Sequence, residues 1–356
     1  MRYMLLILLV SCSALLHAQA SQYPAQKITA QQFTPAKMDA DGRFTNANEV
    51  IDKGGLAAEV PFMLRRFATY LRSADGAPGL TVNDGEALRA NADNSTMTPT
   101  VTWVGHATFL VQMSGVTFLV DPIWSNTPSP VPLIGPSRFV PPGIALADLP
   151  SIDFVLVSHN HYDHLDLPTL GKLAERNSQT QFFVPEGNGA LLRRAGVSKI
   201  TELNWGEQVA VGQVVIHCLP AQHWSKRSLT DNNKALWSSW AVTSEQRRFY
   251  HAGDTGYFDG FKAIGEHLGP FDLAAVPIGA YAPRAMMRAS HMNPEEAITA
   301  ALDLRAQVAL AMHFGTFDLS DEPLQQPPIR FRQAAKVQGL AATDTWVLKV
   351  GETRAF

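Results

Sequence analysis

From Thr100 onward the apolar residues come in short runs of β type separated by turns: VTWVGHATFLVQ, VTFLVDP, FVLVSH, QFFVP, VVIHCLP, RRFYHAGD and DLAAVPIG. Between them stand segments with the three-to-four-residue apolar spacing of helices: LPTLGKLAER, GALLRRAG, FDGFKAIGEHL and NPEEAITAALDL. In the last of these Asn293 takes an N-cap position, Pro294 lies just inside and Glu296 follows three residues on, which marks a helix start. Strands alternating with helices predict a layered α/β architecture. Between Asp121 and Pro150 stand eight prolines, both ends counted, with no clear periodicity, which predicts an ordered loop or a lid.

Upstream the pattern differs. Residues 21–55 are polar and weakly periodic and read as a poorly ordered leader. Residues 56–73 predict a helix with Phe62, Met63, Phe67, Tyr70 and Leu71 on one face and Arg65, Arg66 and Arg72 elsewhere. Such a basic amphipathic helix either packs on its own domain or lies on an anionic membrane. No composition break or repeat marks a further domain. The simplest division is a signal peptide over 1–20, an N-terminal extension over 21–99 and a catalytic domain over 100–356.

The first residues, MRYMLLILLVSCSALLHAQA, show one Arg, an apolar run and then Ala18-Gln19-Ala20, the order of a secretory signal. The run is shorter than the roughly 20 residues of a membrane span. The expected location is therefore periplasmic or extracellular. Because Leu9-Val10-Ser11-Cys12 also resembles a lipoprotein cleavage box, a lipid anchor on Cys12 is the alternative. With Cys12 in the signal, Cys218 has no disulfide partner and, in an apolar stretch, reads as a buried small hydrophobe. The chain of 356 residues is 46% hydrophobic, ample for a large core, and 29 basic against 32 acidic residues leave a net charge of -3. That balance argues against nucleic acid as a partner.

The chemistry concentrates in Ser158-His159-Asn160-His161-Tyr162-Asp163-His164, directly after the strand-like FVLVS. Side chains alternate along a strand end, so His159 and His161 project to one side, while Asp163 and His164 face a second point as the chain turns toward the helix near Pro168. Three imidazoles and a carboxylate in six residues is ligand density for a borderline metal such as zinc; a surface histidine cluster is the competing reading, and the H-x-H-x-D-H spacing at a β-to-α junction disfavours it. Two ions need about three or four protein ligands each. The further candidates His223, Asp254 and His313 each follow an apolar run, so one sheet edge can collect them.

These residues are similar to the metallo-β-lactamase superfamily of binuclear zinc hydrolases. Trp103-Val104-Gly105-His106-Ala107-Thr108, Asp121-Pro122-Ile123, SHNHYDHLD, PAQHW, AGDTGY, PIGAYAPR, His291 with NPEEA, and His313-Phe314-Gly315-Thr316 resemble its branch of N-acylphosphatidylethanolamine-hydrolysing phospholipases D, from about Thr100 to Pro328. The resemblance implies the αββα fold, two mixed sheets packed face to face with helices outside. It implies one zinc on His159, His161 and His223, a second on Asp163, His164 and His313, Asp254 bridging, and a hydroxide between the metals. A bound zinc lowers the pKa of water from roughly 15.7 to about 7, so no Ser or Cys nucleophile is required. No Gly-x-Ser-x-Gly elbow occurs, in agreement.

Asp163, Asp254 and His291 are the residues expected to act in catalysis, His291 as a phosphate contact or an acid toward the leaving group. Asp121 orients a ligand imidazole or merely starts a turn before Pro122. His106 lines the metal pocket or bonds within the core. Arg284 meets an anionic substrate or forms a structural salt bridge, and Lys226 and Arg227 stand beside the metals or in solvent. The leading expectation is a phospholipase D-type phosphodiesterase acting on N-acylphosphatidylethanolamine or a related glycerophospholipid. A lactone or other ester hydrolase is the alternative within enzymes, and a non-catalytic zinc- or lipid-binding protein the alternative outside them. A β-lactamase is disfavoured by the branch resemblance, a di-iron redox protein by His161. Manganese and iron stay open beside zinc, as do a peripheral membrane contact and a homodimer.

Overall fold

In the computed structural model of the chain, residues 25–28, 33–47, 55–69, 77–131 and 135–356 are described. Two sheets dominate. The strands are β1 (Gln26–Ile28), β2 (Thr100–Gly105), β3 (Thr108–Met113), β4 (Val116–Val120), β5 (Phe154–Leu156), β6 (Gln181–Pro185), β7 (Ile200–Leu203), β8 (Gln208–Val211), β9 (Val214–Leu219), β10 (Ser239–Thr243), β11 (Arg248–His251), β12 (Leu273–Pro277), β13 (Val308–Met312), β14 (Thr345–Trp346) and β15 (Thr353–Ala355). Among the described residues one sheet runs β1-β8-β9-β10-β11-β12-β13-β14 and the other β15-β2-β3-β4-β5-β6-β7. Both mix antiparallel hairpins with parallel neighbours: β11, β12 and β13 run parallel, as do β4, β5, β6 and β7.

Period-two alternation decides which side of the second sheet each residue faces. Phe109, Val111, Phe118, Val120, Phe154, Leu156 and Phe183 enter the core shared with the first sheet. Their neighbours Leu110, Leu119, Val155, Phe182 and Val184 line the opposite side, where α3 (Leu167–Arg176) and α4 (Gly189–Arg194) bring Leu170, Leu173 and Leu192. The first sheet is covered by α5 (Gly260–Leu268), α7 (Pro294–Asp303) and α8 (Gln326–Val337), which bury Phe261, Ile264, Ala297, Ala301 and Phe331. Two mixed sheets with helices on both outer faces are the αββα arrangement expected above. Cys218 is fully buried in the shared core.

The helix start at Asn293 is a complete capping box: the Asn293 side chain accepts from Glu296 N at 2.8 Å, and Asn293 N donates to Glu296 Oε2 at 3.1 Å. Elements that the apolar pattern did not mark include the uniformly buried β10, and α2 (Glu86–Ala92), whose seven residues bury only Leu88.

The leader departs from expectation. Residues 26–28 form β1, antiparallel to β8, and within 33–47 Phe33, Ala36 and Phe44 reach the core. Two aromatic side chains in an otherwise polar stretch account for this: Phe44 is 2% exposed within the inter-sheet core, and Phe33 packs against it beside His267. Helix α1 (Gly55–Thr69) covers the first part of the expected 56–73 helix; residues 70–73 lie outside the described ones, as do residues 1–24 with the expected signal and Cys12. Polar contacts dock α1. Arg66 donates from Nη2 to Asp318 O at 2.6 Å and from Nη1 to Ser320 O, and Arg65 pairs with Asp321 at 2.9 Å. Met63 and Leu64 face solvent, and among the described residues no helix is long and apolar enough to cross a membrane.

Trp240 of β10 links the two layers: its ring is buried between them and its Nε1 donates to Val157 O at 3.1 Å, one residue before the Ser158-to-His164 segment. Trp240→Phe removes this donor and is expected to cost about 1–3 kcal/mol. Urea denaturation checks it, and an unchanged midpoint would show that the indole bond does not brace the strand end.

Candidate metal centre

The candidate ligands follow the ends of four strands. His159 to His164 come three residues after β5, His223 four after β9, Asp254 three after β11 and His313 one after β13. Since β9 and β11 both run antiparallel to β10, and β13 runs parallel with β11 and β12, their C-terminal ends share an edge. The structure therefore brings together residues spread over some hundred and fifty positions.

Two groups of nitrogen and oxygen atoms converge. His159 Nε2 lies 2.8 Å and His223 Nε2 3.2 Å from His161 Nδ1, making one trio. In the other, Asp163 Oδ2 lies 3.4 Å from both His164 Nε2 and His313 Nε2. Asp254 stands between them, with Oδ1 3.0 Å from His313 Nε2 and Oδ2 3.3 Å from His164 Nε2 and 3.9 Å from His223 Nε2. In both trios the candidate donor atoms lie within 4.8 Å of one another, and His159, His164 and Asp254 make a further such group.

The far side of each ring shows which nitrogen is offered. Asp121 Oδ2 takes the Ser158 hydroxyl proton at 2.6 Å, which leaves Ser158 Oγ to accept from His159 Nδ1 at 2.9 Å. The same carboxylate accepts from His164 Nδ1 at 2.7 Å, and Ser290 O accepts from His223 Nδ1 at 2.9 Å. With the outer nitrogens protonated, the Nε2 lone pairs of His159, His164 and His223 point inward, the tautomer that metal ligands need. His164 Nε2, His313 Nε2 and Asp254 Oδ1 are buried and turned toward one another without a well-formed hydrogen bond. Buried polar atoms left so are costly in a protein interior, and a mixed imidazole and carboxylate set is suited to a divalent metal. The residues present therefore fit metal ions on both trios.

Electrostatics point the same way. Burial alone would raise Asp163 and Asp254, but the surrounding imidazoles, His164 foremost for Asp163 and His313 for Asp254, hold both well below the usual carboxylate range. Burial would lower His164 and His313; the carboxylates, Asp254 first, raise His164 well above its ordinary value and His313 to about 9. The cluster thus holds ionised carboxylates against imidazoles that keep their protons in the absence of a cation, protons that a bound metal would displace. His106 and His291, dominated by burial, fall to about 3.

Local backbone geometry serves the same end. His106, Asp121 and His313 adopt positive φ of 54°, 44° and 58°, each a departure of about 1–3 kcal/mol that such sites retain for placement. Gly253, at φ 59°, brings Asp254 against the strand end: a Cβ there would lie 2.7 Å from Ser158 Cβ. No side chain fits that approach.

The remaining sequence candidates are placed as follows. His106 sits inside the pocket, with Nε2 2.9 Å from Asp163 Oδ2 and its ring 4.1 Å from that of His313. Asp121 is fully buried behind His164. His291 is 12% exposed at the side chain, 3.9 Å from Asp254 Oδ2, with Nδ1 unpartnered. Arg284 is held away from any ligand: Nη2 donates to both carboxylate oxygens of Glu296 at 2.8 Å and Nη1 to His291 O at 2.8 Å, so it supports the turn carrying His291. Arg227 donates to Asn160 O at 2.9 Å and Leu165 O at 2.8 Å, bracketing the metal-ligand segment.

Sequence reasoning passed over Ser158, Ser290 and Asn46. A hydroxyl closing the apolar run FVLV was a signal for Ser158; none marked Ser290, which contributes only a carbonyl, or Asn46. Asp121→Asn is expected to weaken metal binding by about 10- to 100-fold while the fold persists. Chelator competition with circular dichroism measures both, and unchanged affinity would remove Asp121 from the support of His164.

The description of a beta-lactamase superfamily domain matches residues 116–314, more than half of the chain. An N-acyl-phosphatidylethanolamine-hydrolyzing phospholipase D of Caenorhabditis elegans is 48% identical over 228 residues, 61% of this chain and 64% of that protein. The mitochondrial enzyme of the same name from Saccharomyces cerevisiae is 35% identical over 72% of this chain and 55% of its own length. The chain thus spans less than two thirds of the length of these curated relatives. Among solved structures, Igni18, a metallo hydrolase of Ignicoccus hospitalis, superposes with a TM-score of 0.56 at 26% identity, covering 73% of this chain and 98% of its own. On the matched domain, the two-sheet fold and these relatives, the chain belongs to the beta-lactamase superfamily.

Proposed function

We propose that the protein is a binuclear zinc hydrolase that cleaves the phosphodiester of a glycerophospholipid in the manner of a phospholipase D, with N-acylphosphatidylethanolamine the first candidate. The observation that carries this reading is the pair of ligand trios sharing Asp254. Zinc ions bound there would polarise a phosphate oxygen and acidify a water. The products are then an N-acylethanolamine and phosphatidic acid, with water supplying the oxygen added at phosphorus. The names of the two enzyme relatives support the substrate class.

The chain's own residues supply the rest. Asp163 and Asp254, held ionised, anchor the cations, while Asp121, Ser158 and Ser290 keep the imidazoles aimed. His291, beside Asp254 with an unpartnered Nδ1 and part of its side chain exposed, is kept neutral by burial and is placed as a contact for the substrate phosphate. A shallow cleft opens against His313 and is lined by Ala280, Phe314, Phe317 and Asp318. Residues 1–20 support export to the periplasm or beyond.

Zinc-loaded protein is expected to hydrolyse bis(p-nitrophenyl) phosphate and to release N-acylethanolamine from N-acylphosphatidylethanolamine micelles. His161→Ala and Asp254→Asn should each lower kcat/KM by about 100- to 1000-fold. A lactone offered in parallel distinguishes the ester-hydrolase alternative. Turnover of the lactone without either phosphodiester, or equal turnover by His161→Ala, would refute the proposal.

A further inference from the structure

Asn46 lies outside residues 116–314, yet its side chain ends on a candidate ligand 177 positions away. Its Nδ2 donates to His223 O at 2.8 Å, and its Oδ1 accepts from His223 N at 3.0 Å. One amide satisfies both main-chain groups of His223, the pairing a neighbouring strand would give in regular structure. The same Oδ1 accepts from Trp237 Nε1 at 3.1 Å, and this indole also donates to Ala221 O at 2.9 Å. Trp237 is 1% exposed, so the amide rests against a fixed wall. Two residues earlier Phe44 enters the inter-sheet core and its N–H donates to Asn233 O at 2.8 Å.

His223, like the other imidazoles of its trio, lies beyond the end of its strand and needs such support. β9 ends at Leu219, and the residue sits in a connection, where sites are less precisely held than on strands. Its ring is tied at Nδ1 to Ser290 O and its main chain to Asn46, which leaves Nε2 one direction, toward His159 and His161. Resting on the metal reading above, we propose that Asn46 is a positioning residue of the metal centre, holding His223 in its trio, so that the N-terminal segment is a working part of the ion site.

The test titrates metal-free full-length protein with Zn2+ against a chromophoric chelator. The parent is expected to bind two ions, and Asn46→Ala to bind one of them about 10-fold more weakly with the other unchanged. Asn46→Asp keeps both accepted bonds and loses the donated one, so it should fall between the two and serves if the alanine variant does not fold. Arg43→Ala is the control. It removes a bond from Arg43 Nη1 to Asn232 O of 2.7 Å in the same segment and should leave both affinities at the parent values. Parent-like binding by a folded Asn46 variant would overturn the proposal, as would equal weakening in Arg43→Ala, which would show only that the segment stabilises the fold. A parent that takes up no Zn2+ would overturn the metal reading itself.

Discussion

A carboxylate removed from water must meet positive charge, and Asp254, 3% exposed, does so from both sides. Leaving such a charge uncompensated costs several kcal/mol. His313 approaches Oδ1, while His164 and His223 approach Oδ2. Those three residues come from strand ends in different parts of two sheets, so no local segment can satisfy Asp254 alone. Assembly of the sandwich and neutralisation of this carboxylate are one event. A cation on each side would satisfy the carboxylate and the inward-facing lone pairs together, and binding it would thereby contribute to folding free energy.

The cost of that arrangement is spread over the frame. Three non-glycine residues at the site hold left-handed backbone, and Gly253 admits a contact that any side chain would block. Offsetting them is an inter-sheet core holding Trp103, Trp205, Trp237 and Trp240. These indoles also direct the chain: Trp103 Nε1 donates to His106 O at 2.8 Å, Trp237 to Ala221 O and Trp240 to Val157 O, each a carbonyl near a residue of the pocket. Large apolar side chains and carbonyl-directed donors on one residue type explain how a hydrophobic core positions polar groups.

The layered fold and the seven converging residues were legible because both rest on local pattern. The continuous apolar runs FVLVS and VALAM place a residue at a strand end, and ligand-type residues at several such ends imply a common edge. What was not legible depends on tertiary partners. Asn46 sits in a polar stretch with no periodicity, and only the packing of Phe44 and Phe33 brings it to His223. β10 escaped notice because Ser239 and Thr243 bound an apolar stretch of only Trp240, Ala241 and Val242. Arg284 shows an alternative that pattern alone left open: a guanidinium near PIGAYAPR allowed an anion contact or a salt bridge, and Glu296, itself occupied in the capping box, takes it. Sequence shows that a charge exists, not what already neutralises it.

That last point bears on how an anion is recognised. The guanidinium groups around the centre act as braces. Arg284 holds the turn of His291, Arg227 spans the carbonyls of Asn160 and Leu165 with its face on Tyr162, and Arg138 donates to Ile123 O and Ser125 O while covering Phe317. Arg66 fastens α1 to the stretch after His313. Each is bound to main chain, so swinging toward a substrate would release a loop that shapes the site. Side chains committed in this way contribute rigidity but little direct charge to a ligand. On the proposed function, attraction for a phosphate would then come from cations bound at the trios, and selectivity among anions from the walls that these braced loops present.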